Sequence, residues 1–326
     1  AILTAADGSY SLVTAFGASS YTSGNWSLSG LDVDATDGVT ISGATSGFFD
    51  LSTKSYDDIS FDTTAQDSSL EDVYFKPDGT AMFIIGGAND TVYQYTLSTA
   101  WDVSSASYSG KSFSVGTQDS SPRGIFFRND TGTRMYIVGD QNNRIYEYSL
   151  SSWDVSTASL LRNFYVGSQE SSPKGIYIRD NGGTMFIVGT TGDAVYEYNI
   201  GTWNLSSGSF VRSFSVSSQD SNPGGVSFSS DGTRMFICGD STNNVYEYSL
   251  SSAWNISTAS LVTSSGTSPS SNVTGIFFKP QGDKMYLTDW STDKVYQYSI
   301  GSVSQPTAQY FPAITSASGQ IESQYW

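Results

Sequence analysis

Four pairs of neighbouring residues, each a glutamine followed by an acid, recur at intervals of about 50 residues. They are Gln66-Asp67, Gln118-Asp119, Gln169-Glu170 and Gln219-Asp220, and Pro269-Ser270 stands at the fifth such place. Carboxylate and amide oxygens are ligands for a hard cation such as Ca²⁺, and they also bond polar groups of a receptor. The pairs are therefore candidates for an ion or ligand site. Side chains in turns also bond to local backbone, and this alternative stays open.

Trp290 is a second candidate for ligand contact. It stands in a turn where the earlier repeats carry Gly87, Asp140, Thr190 and Asp240. A lone tryptophan in a turn either covers a neighbouring loop or contacts a ligand, because its ring is large, apolar and tipped with an N–H group. Both interpretations stay open for Trp290.

The composition excludes several kinds of site. The chain has no histidine, which removes Ser-His-Asp triads, Cys-His pairs and His-ligated metals. Cys238 is the single cysteine, so the sequence predicts neither an internal disulfide nor a cysteine-rich zinc site, and we expect a small buried side chain there. The net charge of −16, with scattered bases, argues against nucleic-acid binding. Without a long apolar run, no membrane insertion is expected.

The elements that must position these residues are set by an internal repeat. All five methionines fall at one position of it, and a Tyr-x-Tyr follows each at nearly constant spacing. Each unit divides into four short strand-like segments separated by turn residues, which is typical of a β-propeller blade. The methionines are Met82, Met135, Met185, Met235 and Met285. We therefore predict an all-β, five-bladed propeller over residues 49–300, with β-rich extensions at 1–48 and 301–326, and we expect the latter to continue into a further segment.

Closure of the ring is predicted from a displaced motif. Trp-Asp-Val-Ser and close variants follow the third segment of the first four units, whereas the fifth unit lacks the motif and Phe49-Asp50-Leu51-Ser52 precedes the first unit. The N-terminal strand at 55–62 is therefore expected to pair with 295–300 and leave no open sheet edge. Residues 307–311 are the rival closing strand.

Closure also places the paired acids. The inner strand of each blade lines the central channel, and the connection into it lies near the axis. We expect the four Gln-acid pairs to form an incomplete ring around the channel mouth, broken at Pro269 and Ser270, with Ca²⁺ as the candidate ion.

Two resemblances extend this interpretation. The unit with Pro122-Arg123-Gly124, Met135-Tyr136-Ile137-Val138-Gly139 and Tyr146-Glu147-Tyr148 resembles the surface-layer and lactonase-type propeller repeats, and this resemblance implies the fold alone. Lactonase-type enzymes use catalytic histidines that have no counterpart here. The stretch from Ser316 to Trp326 resembles segments of structural proteins from marine tailed phages, including cyanophages.

The second resemblance implies a non-enzymatic virion protein, a tail-fibre or other peripheral component that presents the propeller to a host surface. Its expected partners are host polysaccharide or protein, other virion proteins and copies of itself, in a virion or extracellular setting. The alternatives are a secreted bacterial adhesin or lectin, and a secreted propeller hydrolase.

Overall fold

The computed structural model describes residues 48–301 and six short strands of the terminal segments. In those segments Ile2–Leu3 pairs with Ser27–Leu28, Ala5–Ala6 with Ser9–Tyr10, and Val39–Ile41 with Gln309–Phe311. The phage-like stretch at 316–326 lies outside the described residues. Chain contacts separate two units, Ser46–Val303 and the two termini taken together. No helix among the described residues is long and apolar enough to cross a membrane.

Residues 55–299 form five sheets of four antiparallel strands, which confirms the predicted five-bladed propeller. The inner strands are Leu70–Phe75, Pro122–Phe127, Pro173–Ile178, Pro223–Phe228 and Val273–Phe278, for blades 1 to 5. The second strands are Ala81–Gly86, Arg134–Gly139, Thr184–Gly189, Arg234–Gly239 and Lys284–Asp289. The third strands are Thr91–Leu97, Arg144–Ser151, Ala194–Gly201, Asn244–Leu250 and Lys294–Ser299. The outer strands are Ala106–Ser114, Asp154–Tyr165, Asn204–Ser215, Ala259–Gly266 and, for blade 5, Ser55–Asp62.

The N-terminal strand closes the ring, as the displaced motif predicted. Ser55–Asp62 pairs antiparallel with Lys294–Ser299, in a register that places Phe61 opposite Val295. The rival segment is engaged elsewhere, because Gln309–Phe311 pairs with Val39–Ile41. Short 3-10 turns at Leu51–Thr53, Val103–Ser105 and Ile256–Thr258 lead into the outer strands of blades 5, 1 and 4.

The Trp motif packs on the turn between the first and second strands of blades 1 to 4 and forms a hydrogen bond with it. The N–H of Trp153 donates to the carbonyl of Gly132 at 3.0 Å, and Gly132 has a φ of 61°. A Cβ at Gly132 would lie 2.3 Å from the Trp153 ring, so only glycine fits beneath it. In blade 5 the same place is taken by Phe49 over Gly282, with an N–H to carbonyl distance of 3.0 Å. The displaced motif therefore completes the fifth blade in detail.

Adjacent blades are joined by the middle residue of Tyr-x-Tyr in blades 1, 2, 4 and 5. This side chain accepts a hydrogen bond from the backbone N–H that follows the Trp-Asp, Trp-Asn or Phe-Asp step of the next blade. The pairs are Gln94 with Val155, Glu147 with Leu205, Glu247 with Leu51, and Gln297 with Val103. Four of the five junctions between blades carry this bond, and the Glu247 bond joins the turn before the N-terminal strand to blade 4.

The core lies between the blades and is built from the repeated apolar positions. Each methionine of the repeat is fully buried, as are the second tyrosines of the Tyr-x-Tyr pairs. In blades 1 to 4 these tyrosine rings pack edge-on against aromatic side chains of neighbouring outer strands, as Tyr148 does with Phe113 at 5.4 Å. Cys238 is also fully buried, and burial raises the pKa of its thiol well above the ordinary value. The prediction of a small buried side chain at Cys238 is confirmed.

Candidate functional site

The four predicted acids are buried, and each bonds the backbone of its own blade. Asp67 accepts from the N–H groups of Ser69, Ala88 and Asn89 at 3.0–3.1 Å. Asp119 accepts from Ser121, Gln141 and Asn142 at 3.0–3.2 Å. Glu170 accepts from Ser172, Thr191 and Gly192 at 2.8–3.1 Å. Asp220 accepts from the N–H groups of Asn222 and Thr242 and from the Thr242 hydroxyl. The carboxylates therefore join the connection into the inner strand to the turn between the second and third strands.

The paired glutamines also face their own blade. The hydroxyls of Tyr95, Tyr148 and Tyr248 donate to the side-chain oxygens of Gln66, Gln118 and Gln219, at 3.0, 3.4 and 3.1 Å. The backbone carbonyl of Gln118 accepts a further bond from Tyr146. In these three blades the glutamine bonds the second tyrosine of Tyr-x-Tyr. Gln169 has no hydrogen bond of this kind among the described residues.

The fifth blade carries its acid on the opposite strand. Asp289 ends the second strand, at the position of Gly86, Gly139, Gly189 and Gly239, and accepts from the hydroxyl of Ser270 at 2.8 Å. It also accepts from the N–H groups of Ser271, Asn272, Ser291 and Thr292. Burial favours the neutral acid, but these bonds outweigh burial and lower the pKa of Asp289. The expected break at Ser270 is therefore filled by a carboxylate from the other side.

This arrangement accounts for the recurrence of the acids without an ion. Their oxygens are directed at backbone N–H groups, which carry the partial positive charge that a cation would supply. The described residues hold no group of three or more acidic or cysteine side chains placed to bind a metal. The Ca²⁺ site stays a prediction.

Different residues line the channel mouth beside these acids. On the face where the inner strands begin, an open cavity of about 320 Å³ lies at the axis; we call it the upper cavity. Its wall is formed by the second residue of each inner strand, which is Glu71, Arg123, Lys174, Gly224 and Thr274 in blades 1 to 5. Blades 1 to 3 therefore contribute charged groups, and blades 4 and 5 contribute small side chains that leave room.

A charge network holds this wall. The Arg123 guanidinium lies 2.5 Å from Glu71 and 3.4 Å from Asp140, and the Lys174 ammonium lies 2.5 Å from Asp140. Burial raises the pKa of Glu71, and the charge of Arg123 opposes that rise. Both bases are only partly exposed, so their N–H groups are held in place next to the cavity.

Trp290 stands at the rim of the upper cavity. It occupies the turn position held by Asp140, Thr190 and Asp240 in other blades, and 46% of its surface is exposed. No aromatic pair among the described residues includes its ring. Asp240 and Asn222, which bond each other, line the same cavity. Trp290 therefore offers a free indole face next to fixed hydrogen-bonding groups.

Sequence reasoning found Trp290 and missed Glu71, Arg123 and Lys174. The signal that could have found them is variation at one position of the repeat, since each blade has a different residue there. The Gln-acid pairs stood out because they recur, and recurrence is what a shared structural role produces. Residues that vary at one place of a repeat can take an individual role, because the fold does not require them to be alike.

Comparison with known proteins identifies no family. No family model matches the chain, and no curated protein matches it. Among solved structures, a functionally unknown protein from Desulfotomaculum acetoxidans DSM 771 is 16% identical over 68% of this chain and 62% of its own, with a TM-score of 0.42. A putative 6-phosphogluconolactonase from Bacteroides uniformis is 10% identical over 68% and 64%, with a TM-score of 0.45. The Cps50 (Swd1) β-propeller domain of Myceliophteria thermophila is 9% identical over 76% and 99%, with a TM-score of 0.44.

The chain spans less than two thirds of the first two proteins. The activities in the names of these proteins apply to those proteins only. The five-bladed fold of this chain is established by its own strand pairing.

Proposed function

We propose that this propeller is a non-enzymatic recognition module of a phage virion, in a tail fibre or another peripheral component, that binds a polysaccharide of the host surface. The observation that carries the binding role is Trp290, a half-exposed indole at the rim of a polar cavity on the propeller axis. The virion setting is supported by the resemblance of 316–326 to phage structural proteins. Host protein, other virion proteins and copies of the chain are the further partners of this proposal.

The chemistry of the upper cavity suits a sugar. One face of a pyranose carries C–H groups that pack on an indole, and its hydroxyls need donors and acceptors at fixed positions. Arg123 and Lys174 supply donors, and Asp240 and Asn222 supply acceptors, around a volume of about 320 Å³. The small residues Gly224 and Thr274 leave one side of the wall open to a chain that continues beyond one sugar ring.

Binding is tested with lipopolysaccharide and capsular polysaccharide extracted from marine cyanobacteria, immobilised and probed with the full chain. W290A is expected to lower affinity at least ~10-fold, because it removes the stacking surface. Y165A is the matched control, since Tyr165 is as exposed on an outer strand at 48% and should leave affinity unchanged. Equal binding by parent and W290A would overturn the sugar site.

The virion setting has a separate test. Mass spectrometry of purified marine phage virions should detect the Tyr-Glu-Tyr repeat peptides of residues 144–151, 194–201 and 244–250. If the gene lies among bacterial surface genes instead, and virions lack these peptides, the same cavity belongs to a secreted adhesin or lectin. The binding assay and the virion assay therefore fail independently.

A secreted hydrolase is the second candidate, and Glu71 is the observation that favours it. A carboxyl group whose pKa is raised by burial, inside a sugar-sized cavity, matches the general acid of a glycosidase. The short ion pair with Arg123 opposes protonation and favours a binding role. Release of reducing sugar from the same polysaccharides, lost in E71Q, would establish the hydrolase.

A further inference from the structure

A second cavity lies on the axis at the opposite face, where the inner strands end. It encloses about 380 Å³, and we call it the lower cavity. Its wall is apolar, because Val73, Ile125, Ile176, Val226 and Ile276 occupy the fourth position of the inner strands in blades 1 to 5. The proposed sugar site makes no use of this space.

Four aromatic rings form a collar around the lower cavity. They occupy the next position of the inner strands, at Tyr74, Phe126, Tyr177 and Phe277. Phe277 and Phe126 each lie 5.2 Å from Tyr74, and Tyr177 lies 5.4 Å from Phe126, all edge to face. For a regular five-membered collar with this spacing, the centre is roughly 4.5 Å from each ring, inside the ~6 Å range of a cation–π contact.

Ser227 takes the fifth place of the collar. It is buried, lines the lower cavity and stands between the blades that carry Tyr177 and Phe277. Those two rings are partly exposed, whereas Tyr74 and Phe126 are buried. The small side chain therefore leaves a gap in the collar that a fifth aromatic ring would fill.

Asp72 stands at the inner end of the cavity. The other four blades carry glycine at its position, and a Cβ at Gly275 would lie 2.2 Å from its carboxylate oxygen, so Asp72 fills the space that the glycine of neighbouring blade 5 leaves. It accepts from the N–H groups of Val73 and Ile125 at 2.8 and 3.0 Å. Burial, with a contribution from Glu71, raises the pKa of Asp72 to about 7. Cys238, the other titratable neighbour, is a neutral thiol.

The charges of the lower cavity are unbalanced. Asp130 pairs with Arg128, and Lys279 pairs with Asp283, so these groups are neutralised locally. Asp72 and Asp180 also line the cavity and form no salt bridge within the described residues. The interior therefore combines aromatic rings and aliphatic walls with an excess of carboxylate.

We propose that the lower cavity binds a small organic cation with apolar surface, such as a quaternary ammonium group, with Asp72 as its counter-ion and the aromatic collar around it. Methyl groups on the cation contact the aliphatic wall, and its positive charge lies near the collar rings and the carboxylate. A desolvated cation gains most from such contacts, because water no longer competes. The gap at Ser227 gives the collar the room to admit it.

Choline and its neutral isostere 3,3-dimethylbutan-1-ol are the probes, compared by calorimetric titration of the full chain. We expect choline to bind with a Kd of ~1 mM or lower and the isostere at least ~10-fold more weakly. D72N should weaken choline binding ~10-fold. Choline affinity should rise with pH through 7 in the parent as Asp72 ionises, and should lose this dependence in D72N.

Two further variants test the collar. S227F places in the gap the ring that Phe126 and Phe277 already carry, and should abolish choline binding. F126L keeps an apolar side chain without a ring and should weaken binding, so the test survives if S227F does not fold. W290A, in the upper cavity, should change nothing, which separates this proposal from the sugar site. Equal binding of the two probes, or no choline binding at roughly 10 mM, would overturn the proposal that the lower cavity binds an organic cation.

Discussion

The hydroxyl of Ser270 donates to the carboxylate of Asp289 at 2.8 Å, and this pair inverts an arrangement that the other four blades share. In those blades the acid stands at the position of Ser270, and a glycine stands at the position of Asp289. A Cβ at Gly86 would lie 2.1 Å from the Asp67 carboxyl carbon, so an acid and a side chain at the two places exclude each other. Each blade therefore has one carboxylate to bond the same backbone N–H groups, supplied from either strand.

This exclusion predicts a strong coupling between the two positions. D289G should lower the free energy of unfolding by ~2 kcal/mol or more, because several backbone N–H groups lose their acceptor. S270D should also destabilise, since it places a second carboxylate against Asp289. The double variant S270D/D289G recreates the pattern of blades 1 to 4 and should recover most of the loss in urea unfolding. Additive losses in the double variant would contradict the exchange.

The bonds between blades predict a contrast at Glu247. Its carboxylate accepts from the N–H of Leu51 at 3.0 Å and is paired with Arg234. E247A should lower the free energy of unfolding by about 1–3 kcal/mol, because a buried N–H at the closing seam loses its partner. E247Q should cost much less, since Gln94 and Gln297 perform the same role in blades 1 and 5. The measurement is urea unfolding, and equal losses in both variants would show that the charge matters rather than the acceptor.

Closure by the N-terminal strand predicts how truncation acts. Deleting residues 1–63 removes Ser55–Asp62 and exposes the backbone edge of Lys294–Ser299. This variant should aggregate or oligomerise in size-exclusion chromatography and unfold at a lower temperature. Deleting residues 1–44 leaves the closing strand in place and should be tolerated. A monomeric 1–63 deletion with an unchanged Tm would contradict the closure.

The fold was predictable because five copies of one unit reinforce the same pattern. The methionines, the Tyr-x-Tyr pairs and the displaced Phe49 motif are each required by packing that every blade repeats, so their spacing predicts the blade count and the closing strand. The site was less predictable for the same reason. Asp67 and its equivalents recur because they bond backbone, whereas Glu71, Asp72 and Ser227 lie where the repeat varies, and Glu71 and Asp72 also bond groups of blade 2.

The residue directly before the third strand of each blade differs between blades in the hydrogen bonds that its side chain makes. Asp293 Oδ1 accepts from the N–H of Leu70 at 3.2 Å. In the next pair of blades along the ring, Asp90 and Pro122 occupy the positions of Asp293 and Leu70; proline has no N–H, and Asp90 Oδ1 is buried without a partner in the described residues. Asn143 occupies the same position in blade 2. In its favoured orientation, its side-chain amide nitrogen donates to the carbonyls of Ser171 and Asp140 at 2.8 Å.

Replacing Asp90 with asparagine should therefore stabilise the protein at neutral pH. Burial raises the pKa of Asp90, and nearby Asp119 and Asp67 add to the rise, so the folded state favours the protonated acid. In the parent, the stability that Asp90 contributes is fully present at a pH below the pKa of this group in the unfolded chain. It is lost as the pH rises through the pKa of Asp90 in the folded protein. D90N should raise the free energy of unfolding by ~1 kcal/mol at pH 7, and the gain should shrink as the pH falls towards 4. D293N also replaces a carboxyl whose pKa burial raises, but that carboxylate already accepts from Leu70, so D293N should give a smaller gain than D90N. Thermal unfolding from pH 4 to 8 measures both variants, and a gain for D90N that is the same at every pH would contradict the titration of Asp90.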